Sequence, residues 1–437
     1  MNDLLKMMIL KGNIFFPSLL GVPYSIYKNR ITKNYFHFNV EPELMAIVNN
    51  SIKNIPYYKK NYITPLNSLN EFKEKIHFID KNIVMKYWSE FVSPQKTKRN
   101  TVSVATGGTS GKPLNLLLPR NRYVFELATM YSMWSNIGWN GQIRAVLRNH
   151  HMEDNQIFKI DFLKKEIIFD GFNSSDKYYY KVYHTLKKYH VKYIHAYPSS
   201  AYQFSRFLHR EKLNTSFIIG FLCGSEGLFS EQKNFIESKL GLKIYHWYGH
   251  SEKLVLGGYC KQSNLIHIEP TYGFFELVDE NGCEITEEGK IGEIVGTTLH
   301  NPCMPLIRYR TGDFAEYAGN YCPHCKRYLP LLTKIYGRWD KNKIFRKDNS
   351  YITTTALNLH SDLYEKIDGL QYLQEVKGAL TVRIIKNNFF QEEDFKRLYL
   401  HFQGSLGAGN DVKIDFVNKL EKLPNGKFEL LISKLER

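Results

Sequence analysis

The sequence predicts an α/β protein, built as a large N-terminal body with a small mobile α+β C-terminal domain acting as a lid. Three observations carry this. The chain has 437 residues, enough for more than one domain and a large core. From Asn100 to about Ile335, β-branched segments alternate with helical ones, the pattern of parallel strands joined by helices. Beyond Gly337 the texture changes to strands and one helix in about 100 residues. The expected division is a helical, basic segment over 1–99, an α/β core over 100–339 and an α+β lid over 340–437.

In chain order, the apolar stretch 4–20 is cut by Lys6, Lys11 and Pro17, too broken to span a membrane or serve as a signal peptide. Residues 41–53 read as a helix that ends before Ile55-Pro56-Tyr57-Tyr58. In the core, 142–147 and 218–223 read as strands, and 178–189 and 230–240 as helices. In the lid, 379–386 and 412–420 read as strands around a helix over 392–403. Pro424-Asn425-Gly426 makes a turn before 427–433.

A composition of 43% hydrophobic and 23% charged residues describes an ordinary globular protein and excludes a disordered or fibrous one. The net charge is +16, and residues 1–100 carry half of it with 15 basic and 7 acidic side chains. Such an excess suits nucleic acid, an anionic membrane, an acidic substrate or simply a solvated surface. No nucleic-acid module accompanies it, so no nucleic-acid partner is expected. Six cysteines in a chain of this length do not make a disulfide framework and point to a reducing, cytoplasmic setting.

The sharpest local feature is Thr106-Gly107-Gly108-Thr109-Ser110-Gly111-Lys112-Pro113, after the extended run 101–105. Glycines let the backbone bend close to a phosphate, and hydroxyls and amides offer hydrogen bonds to its oxygens. It is not a Walker A loop, because the spacing is one residue short and Pro113 stands where Ser or Thr would open a helix. A plain connector is the bland alternative. Downstream come Trp247-Tyr248-Gly249-His250-Ser251-Glu252, Arg308-Tyr309-Arg310-Thr311-Gly312-Asp313, Gly337-Arg338-Trp339-Asp340 and Leu423-Pro424-Asn425-Gly426-Lys427. Singly, Glu252 reads as a surface carboxylate, Tyr248 as a core aromatic and Asp313 as a cap or turn residue.

Together and in this order, the segments resemble the adenylate-forming superfamily of acyl-CoA synthetases and related ligases. Within it the chain is most similar, over roughly residues 55–437, to phenylacetate–CoA ligases and CapK-type capsular polysaccharide proteins. Ile55-Pro56-Tyr57-Tyr58, His195-Ala196-Tyr197-Pro198-Ser199-Ser200 and Gly426-Lys427-Phe428 carry that closer likeness. Leu114 departs from the broad superfamily, where many members have a loop-ending lysine, so phosphate neutralisation rests more on backbone donors and Lys112.

The resemblance implies a large adenylate-forming body and an ATP-dependent ligase. It would turn a small or sugar-linked carboxylic acid into an acyl-adenylate and pass the acyl group to a thiol or amine, coenzyme A being one candidate. Thr106, Gly107, Gly108, Thr109, Ser110, Gly111 and Lys112 would hold the β- and γ-phosphates, and Glu252 would ligate Mg²⁺. Tyr248, with Gly249, would stack on adenine, and Gly224, Ser225 and Glu226 would line its other edge. Asp313 would accept hydrogen bonds from the ribose, and Arg338 would support ribose or phosphate. Lys427 would bridge the substrate carboxylate and the α-phosphate, and Asp340 falls at the hinge. The acid pocket is expected between 195–200, the Ser225 loop and 247–250, lined by Tyr131, Trp134, Tyr197 and Trp247. Core packing is the alternative for those aromatics.

Cys322-Pro323-His324-Cys325 is a C-x₂-C knuckle, and Cys260 and His267 form a second pair that suits a tetrahedral structural Zn²⁺. Similar sets in deazaflavin-adenylating relatives make Cys260, His267, Cys322 and Cys325 the expected ligands. His300, Cys303 and His324 compete, and reduced loop cysteines are the alternative. Two other functional readings stay open, an aryl-acid–CoA ligase and a non-catalytic nucleotide-binding scaffold. The basic N-terminal segment suggests peripheral contact with the inner face of a membrane.

Overall fold

The structure, a computed structural model, describes residues 21–33, 39–96, 99–106, 114–148, 150–152, 156–336, 343–354, 357, 359, 362–421 and 430–435. The N-terminal stretch 1–20, the glycine-rich loop 107–112, Arg338, Asp340 and Lys427 lie outside the described residues.

Six helices open the described chain: α1 (Gly21–Lys33), α2 (Glu41–Asn54), α3 (Pro56–Asn61), α4 (Leu69–Lys75), α5 (Lys81–Lys86) and α6 (Trp88–Phe91). Short helices need caps. Ser68 Oγ accepts from Glu71 N–H at the start of α4, and an Asp80 carboxylate oxygen accepts from Ile83 N–H at the start of α5. α2 turns Leu44, Ile47, Val48 and Ile52 inward, onto a core shared with Leu254, Ile294, Ile307 and Leu332.

The hairpin β1 (Thr101–Ala105) and β2 (Asn115–Pro119) leads into α7 (Arg122–Trp134). The body then forms a 12-stranded sheet in the order β11-β12-β13-β14-β10-β9-β8-β7-β6-β3-β5-β4. Its strands are β3 (Arg144–Leu147), β4 (Phe158–Asp161), β5 (Glu166–Phe169), β6 (Tyr193–Ala196), β7 (Gly220–Gly224), β8 (Lys243–Gly249), β9 (Leu256–Tyr259), β10 (Ile266–Ile268), β11 (Gly273–Val278), β12 (Ile291–Thr298), β13 (Tyr309–Tyr317) and β14 (Leu331–Tyr336). Strands β5, β3, β6, β7 and β8 run parallel. The helices α8 (Asp176–Lys188), α9 (Pro198–Arg210) and α10 (Ser230–Leu240) cross between them and bury Tyr179, Val182, Phe204, Phe207 and Ile236 against that half.

The expectation of parallel strands up to Ile335 fails beyond β8, where every pairing is antiparallel. The reason is connection length. Only 250–255 separate β8 from β9 and 260–265 separate β9 from β10, too few for a parallel crossover of a dozen or more residues.

The C-terminal domain contains the hairpin β15 (Lys343–Phe345) and β16 (Tyr351–Thr353) and a four-stranded sheet in the order β19-β18-β17-β20. Its strands are β17 (Ile367–Gln374), β18 (Ala379–Lys386), β19 (Asp411–Phe416) and β20 (Leu431–Ser433), covered by α11 (Glu392–Leu406) through Leu398, Phe402 and Leu406. β19 ends at Phe416, short of the expected Leu420. Among the described residues no helix is long and apolar enough to cross a membrane.

Candidate active site

Strands of a parallel sheet point their carboxyl ends to one edge, and ligands bind in the crevice there. In this protein that edge presents Arg148 after β3, His195 in β6, Ser225 after β7 and Trp247, Gly249 and Glu252 at the end of β8. They line a cleft of about 1280 Å³ together with Thr106, Trp134 of α7, Asp313 of β13 and, from the C-terminal domain, Thr354 and Leu430. Of the expected nucleotide and acid residues, Thr106, Ser225, Gly249, Glu252, Asp313, Trp134 and Trp247 therefore meet at one cavity.

Thr106 closes the neck of the glycine-rich loop: its N–H donates to Leu114 O at 2.9 Å, and Leu114 N–H donates to Thr106 Oγ1 at 3.0 Å. Glu252 lies between His250 Nδ1 at 3.1 Å and the Tyr309 hydroxyl, which donates to it at 3.3 Å. Burial pushes its carboxyl up, but the hydrogen bond and charge of His250, with Lys81 nearby, outweigh this and hold it below its ordinary value. It is therefore an ionised carboxylate on the cleft wall, the donor type that Mg²⁺ selects.

Tyr248 is 2% exposed and donates to Asp313 Oδ2 at 2.9 Å. It positions Asp313 and is not among the residues that line the cleft. Burial and the Asp313 charge push its phenol well above the usual range, so it remains a donor. Gly249, its neighbour, is on the wall. Glu226 is likewise 2% exposed and is not among the residues that line the cleft. Its oxygens accept from Ser199 N–H at 3.2 Å and from the Thr353 hydroxyl of β16 at 2.6 Å. It ties the C-terminal domain to the body, helped by Gln203 Nε2 donating to Tyr351 O at 3.1 Å.

On the acid side, Trp134, His195 and Trp247 form a triangle of rings with centroids 5.2, 5.3 and 5.6 Å apart. Tyr131 and Tyr197, expected on the wall, are buried behind it as platforms, Tyr131 under Arg144 at 5.5 Å and Tyr197 under Arg148 at 4.5 Å. Gly224 makes room for Trp247, since a Cβ there would lie 2.3 Å from Trp247 Cε2. Gly224→Ala is therefore expected to push the indole into the cleft and cost about 1–3 kcal/mol of stability. Thermal unfolding reads the cost, and a selective loss of bulky acids in an acid panel reads the narrowing.

Composition and motif reading missed Arg144, Arg148, Glu126, Glu166 and Lys253, all on the cleft wall. Arg144 pairs with Glu166, and Lys253 Nζ with Glu126 at 2.6 Å. Arg148 directly follows a strand of the predicted parallel set, and the strand-end rule would have found it.

On the far side of β9 and β10, Cys260, His267, Cys322 and Cys325 bring their ligand atoms within 4.8 Å of one another. The Cys260 and Cys322 sulfurs are 3.8 Å apart, and Cys325 Sγ and His267 Nε2 are 3.9 Å apart. Zn–S bonds of about 2.3 Å at tetrahedral angles imply edges of about 3.8 Å. Burial, with Arg327, brings His267 down to about 4, so its imidazole is neutral and ligand-ready. Of the competitors, His300 Nε2 is taken by Thr271 O at 2.7 Å, and neither it nor Cys303 joins the cluster.

The CapK C-terminal domain family matches residues 344–434. Protein CapK of Staphylococcus aureus is 21% identical over 98% of this chain and 96% of its own. A phenylacetate-coenzyme A ligase of Thermus thermophilus is 33% identical over 135 residues, 30% of each chain. Among solved structures, 2-hydroxyisobutyryl-CoA ligase in complex with 2-HIB-AMP and CoA aligns with a TM-score of 0.57 at 17% identity, covering 90% of this chain and 88% of that one. The fold is that of the adenylate-forming ligases. Over residues 344–434 the chain is similar to the CapK C-terminal domain family.

Proposed function

We propose that the protein is an ATP-dependent ligase that activates a carboxylic acid as its acyl-adenylate and passes the acyl group to a thiol or amine. The observation that carries this is the meeting of Thr106, Glu252 and Asp313 with the Trp134–His195–Trp247 triangle in one cleft at the carboxyl edge of the parallel strands. A carboxylate is a poor electrophile, so its oxygen attacks the α-phosphorus, the bond to pyrophosphate breaks, and AMP becomes the leaving group. The acceptor then attacks the acyl carbon, losing a proton as AMP departs.

The protein's part is to align two anions and neutralise their repulsion. Thr106 and the loop 107–112 cradle the β- and γ-phosphates. Asp313, fixed by Tyr248, accepts from the ribose hydroxyls, and Arg338 supports ribose or phosphate. Glu252 holds Mg²⁺, which offsets phosphate charge when bound. Ser225 and Gly249 flank the base, and Trp134 and Trp247 hold the acid. Asp340 serves as the hinge between the body and the 340–437 lid. Whole-length similarity to CapK supports a sugar-linked acid or acceptor in surface polysaccharide modification. The indole pair favours a second reading, an aryl-acid–CoA ligase. The test is acid-dependent exchange of pyrophosphate into ATP with an acid panel, followed by transfer assays with coenzyme A and with amines. Absence of exchange with every acid would leave only the scaffold reading.

We also assign structural Zn²⁺ to Cys260, His267, Cys322 and Cys325. About one equivalent is expected by elemental analysis, and under a tenth of an equivalent counts against it. Cys322→Ser should lose the metal and lower the melting temperature, because binding free energy at such a site is folding free energy.

A further inference from the structure

The charges on the cleft wall are mostly paired. Arg144 meets Glu166, Lys253 meets Glu126, and Arg310 meets Glu293 at 2.7 Å. Arg148 differs. Its Nη1 lies 2.8 Å from His195 Nε2, its Nη2 donates to Ser225 Oγ at 3.0 Å, and its guanidinium lies over the Tyr197 ring. All three are neutral partners, His195 because burial, with Arg148 and Arg144, drives its imidazole well below the ordinary range. Glu226 is near enough to feel the charge, yet its oxygens serve Ser199 and Thr353. Among the described residues, then, no carboxylate contacts Arg148.

A partly buried cation held in place without a counter-ion is costly unless a ligand supplies the anion. A guanidinium has five N–H donors, and the contacts to His195 and Ser225 leave others for a ligand oxyanion. Its partner His195 belongs to the ring triangle on the acid side of the cleft, and Ser225 lines the cleft where that side meets the base. Glu252 and Asp313, which serve the nucleotide, do not touch it.

We infer that Arg148 seats a second carboxylate on the substrate, so that the acid activated is a dicarboxylic acid whose apolar spacer lies against Trp134 and Trp247. This rests on the adenylation reading and narrows it to a substrate class. The spacer gains from the two indole faces, and the distal carboxylate gains a charged hydrogen bond. Such a bond discriminates by about 10–10²-fold against an analogue lacking it.

The experiment uses the full chain and pyrophosphate exchange with matched pairs, adipic against hexanoic acid and 4-carboxyphenylacetic against phenylacetic acid. In the wild type, kcat/KM is expected to favour the diacid by about 10²-fold. Arg148→Met should bring that ratio near one, and Arg148→Lys should keep part of it by retaining the charge. A wild-type ratio near one overturns the inference, even if Arg148→Met does not fold. So does an Arg148→Met protein whose rates fall equally for both members of a pair, since the arginine would then serve the reacting carboxylate or the phosphates. Exchange with none of the four acids overturns the inference, and its absence from a wider acid panel as well overturns the adenylation reading beneath it.

Discussion

Lys427→Ala is expected to lower acid-dependent pyrophosphate exchange by about 10²–10³-fold, the usual loss when a charged donor that acts in the transition state is removed. The chemistry demands such a donor. A carboxylate and a triphosphate repel each other until a cation bridges the attacking oxygen and the α-phosphate, and that repulsion is greatest as the new bond forms. Lys427 lies in the segment that leads into β20, and Leu430, three residues on, lines the cleft beside Thr354. Transfer from a supplied acyl-adenylate should continue in the same variant, because the adenylate already carries a good leaving group. Undiminished exchange would remove Lys427 from the proposed mechanism, and equal loss of both half-reactions would assign it a different role.

The largest expected effect on stability is at Arg308. Its Nη2 donates to Glu276 Oε1 at 2.8 Å and its Nε to Oε2 at 3.3 Å, while Nη1 donates to Lys73 O at 2.7 Å and Ile76 O at 2.8 Å. Both side chains are buried, 7% and 1% exposed. The guanidinium also lies 4.0 Å from the Phe78 ring centroid, and Ile79 N–H donates to Arg308 O at 3.1 Å. One side chain thus fastens α4 and the chain after it to β11 and β13. Arg308→Met keeps much of the volume but strands a buried carboxylate and two carbonyls, and should cost about 3–5 kcal/mol in urea unfolding. Burial already pushes the Glu276 carboxyl up despite the arginine, so Glu276→Gln added to Arg308→Met should recover part of the loss. A loss under about 1 kcal/mol would mean that the apolar contacts around α4 hold that segment by themselves.

Arg308 also shows why the sequence was only partly legible. The segment Arg308–Asp313 stands in the sequence as one motif, yet its first residue staples the body while its last faces the cleft. Alternating β-branched and helical segments were enough to see the parallel half, because each strand there is paired with its covering helix. The antiparallel half has no helices between strands, so local periodicity does not announce it. Pairing order is a long-range property. Part of the cleft wall was legible through Thr106, Gly249, Glu252, Asp313 and the two tryptophans Trp134 and Trp247. Tyr248 and Glu226 illustrate the limit: the family resemblance implied contact with the nucleotide, while in the structure one donates to Asp313 and the other accepts from Thr353 of the C-terminal domain. The Cys260, His267, Cys322 and Cys325 cluster was legible because thiolates and imidazole have few other reasons to pair at such spacings.

The Glu226–Thr353 contact bears on timing. Glu226 is 2% exposed, and one of its donors, the Thr353 hydroxyl, comes from the other domain. A rotation of the C-terminal domain about the proposed Asp340 hinge would leave that carboxylate short of a partner, at about 1–3 kcal/mol. The closed arrangement would then outlast the open one by about 5–150-fold at equilibrium from this bond alone. The contact would act as a dwell timer, keeping a hydrolysable acyl-adenylate sheltered from water until an acceptor arrives.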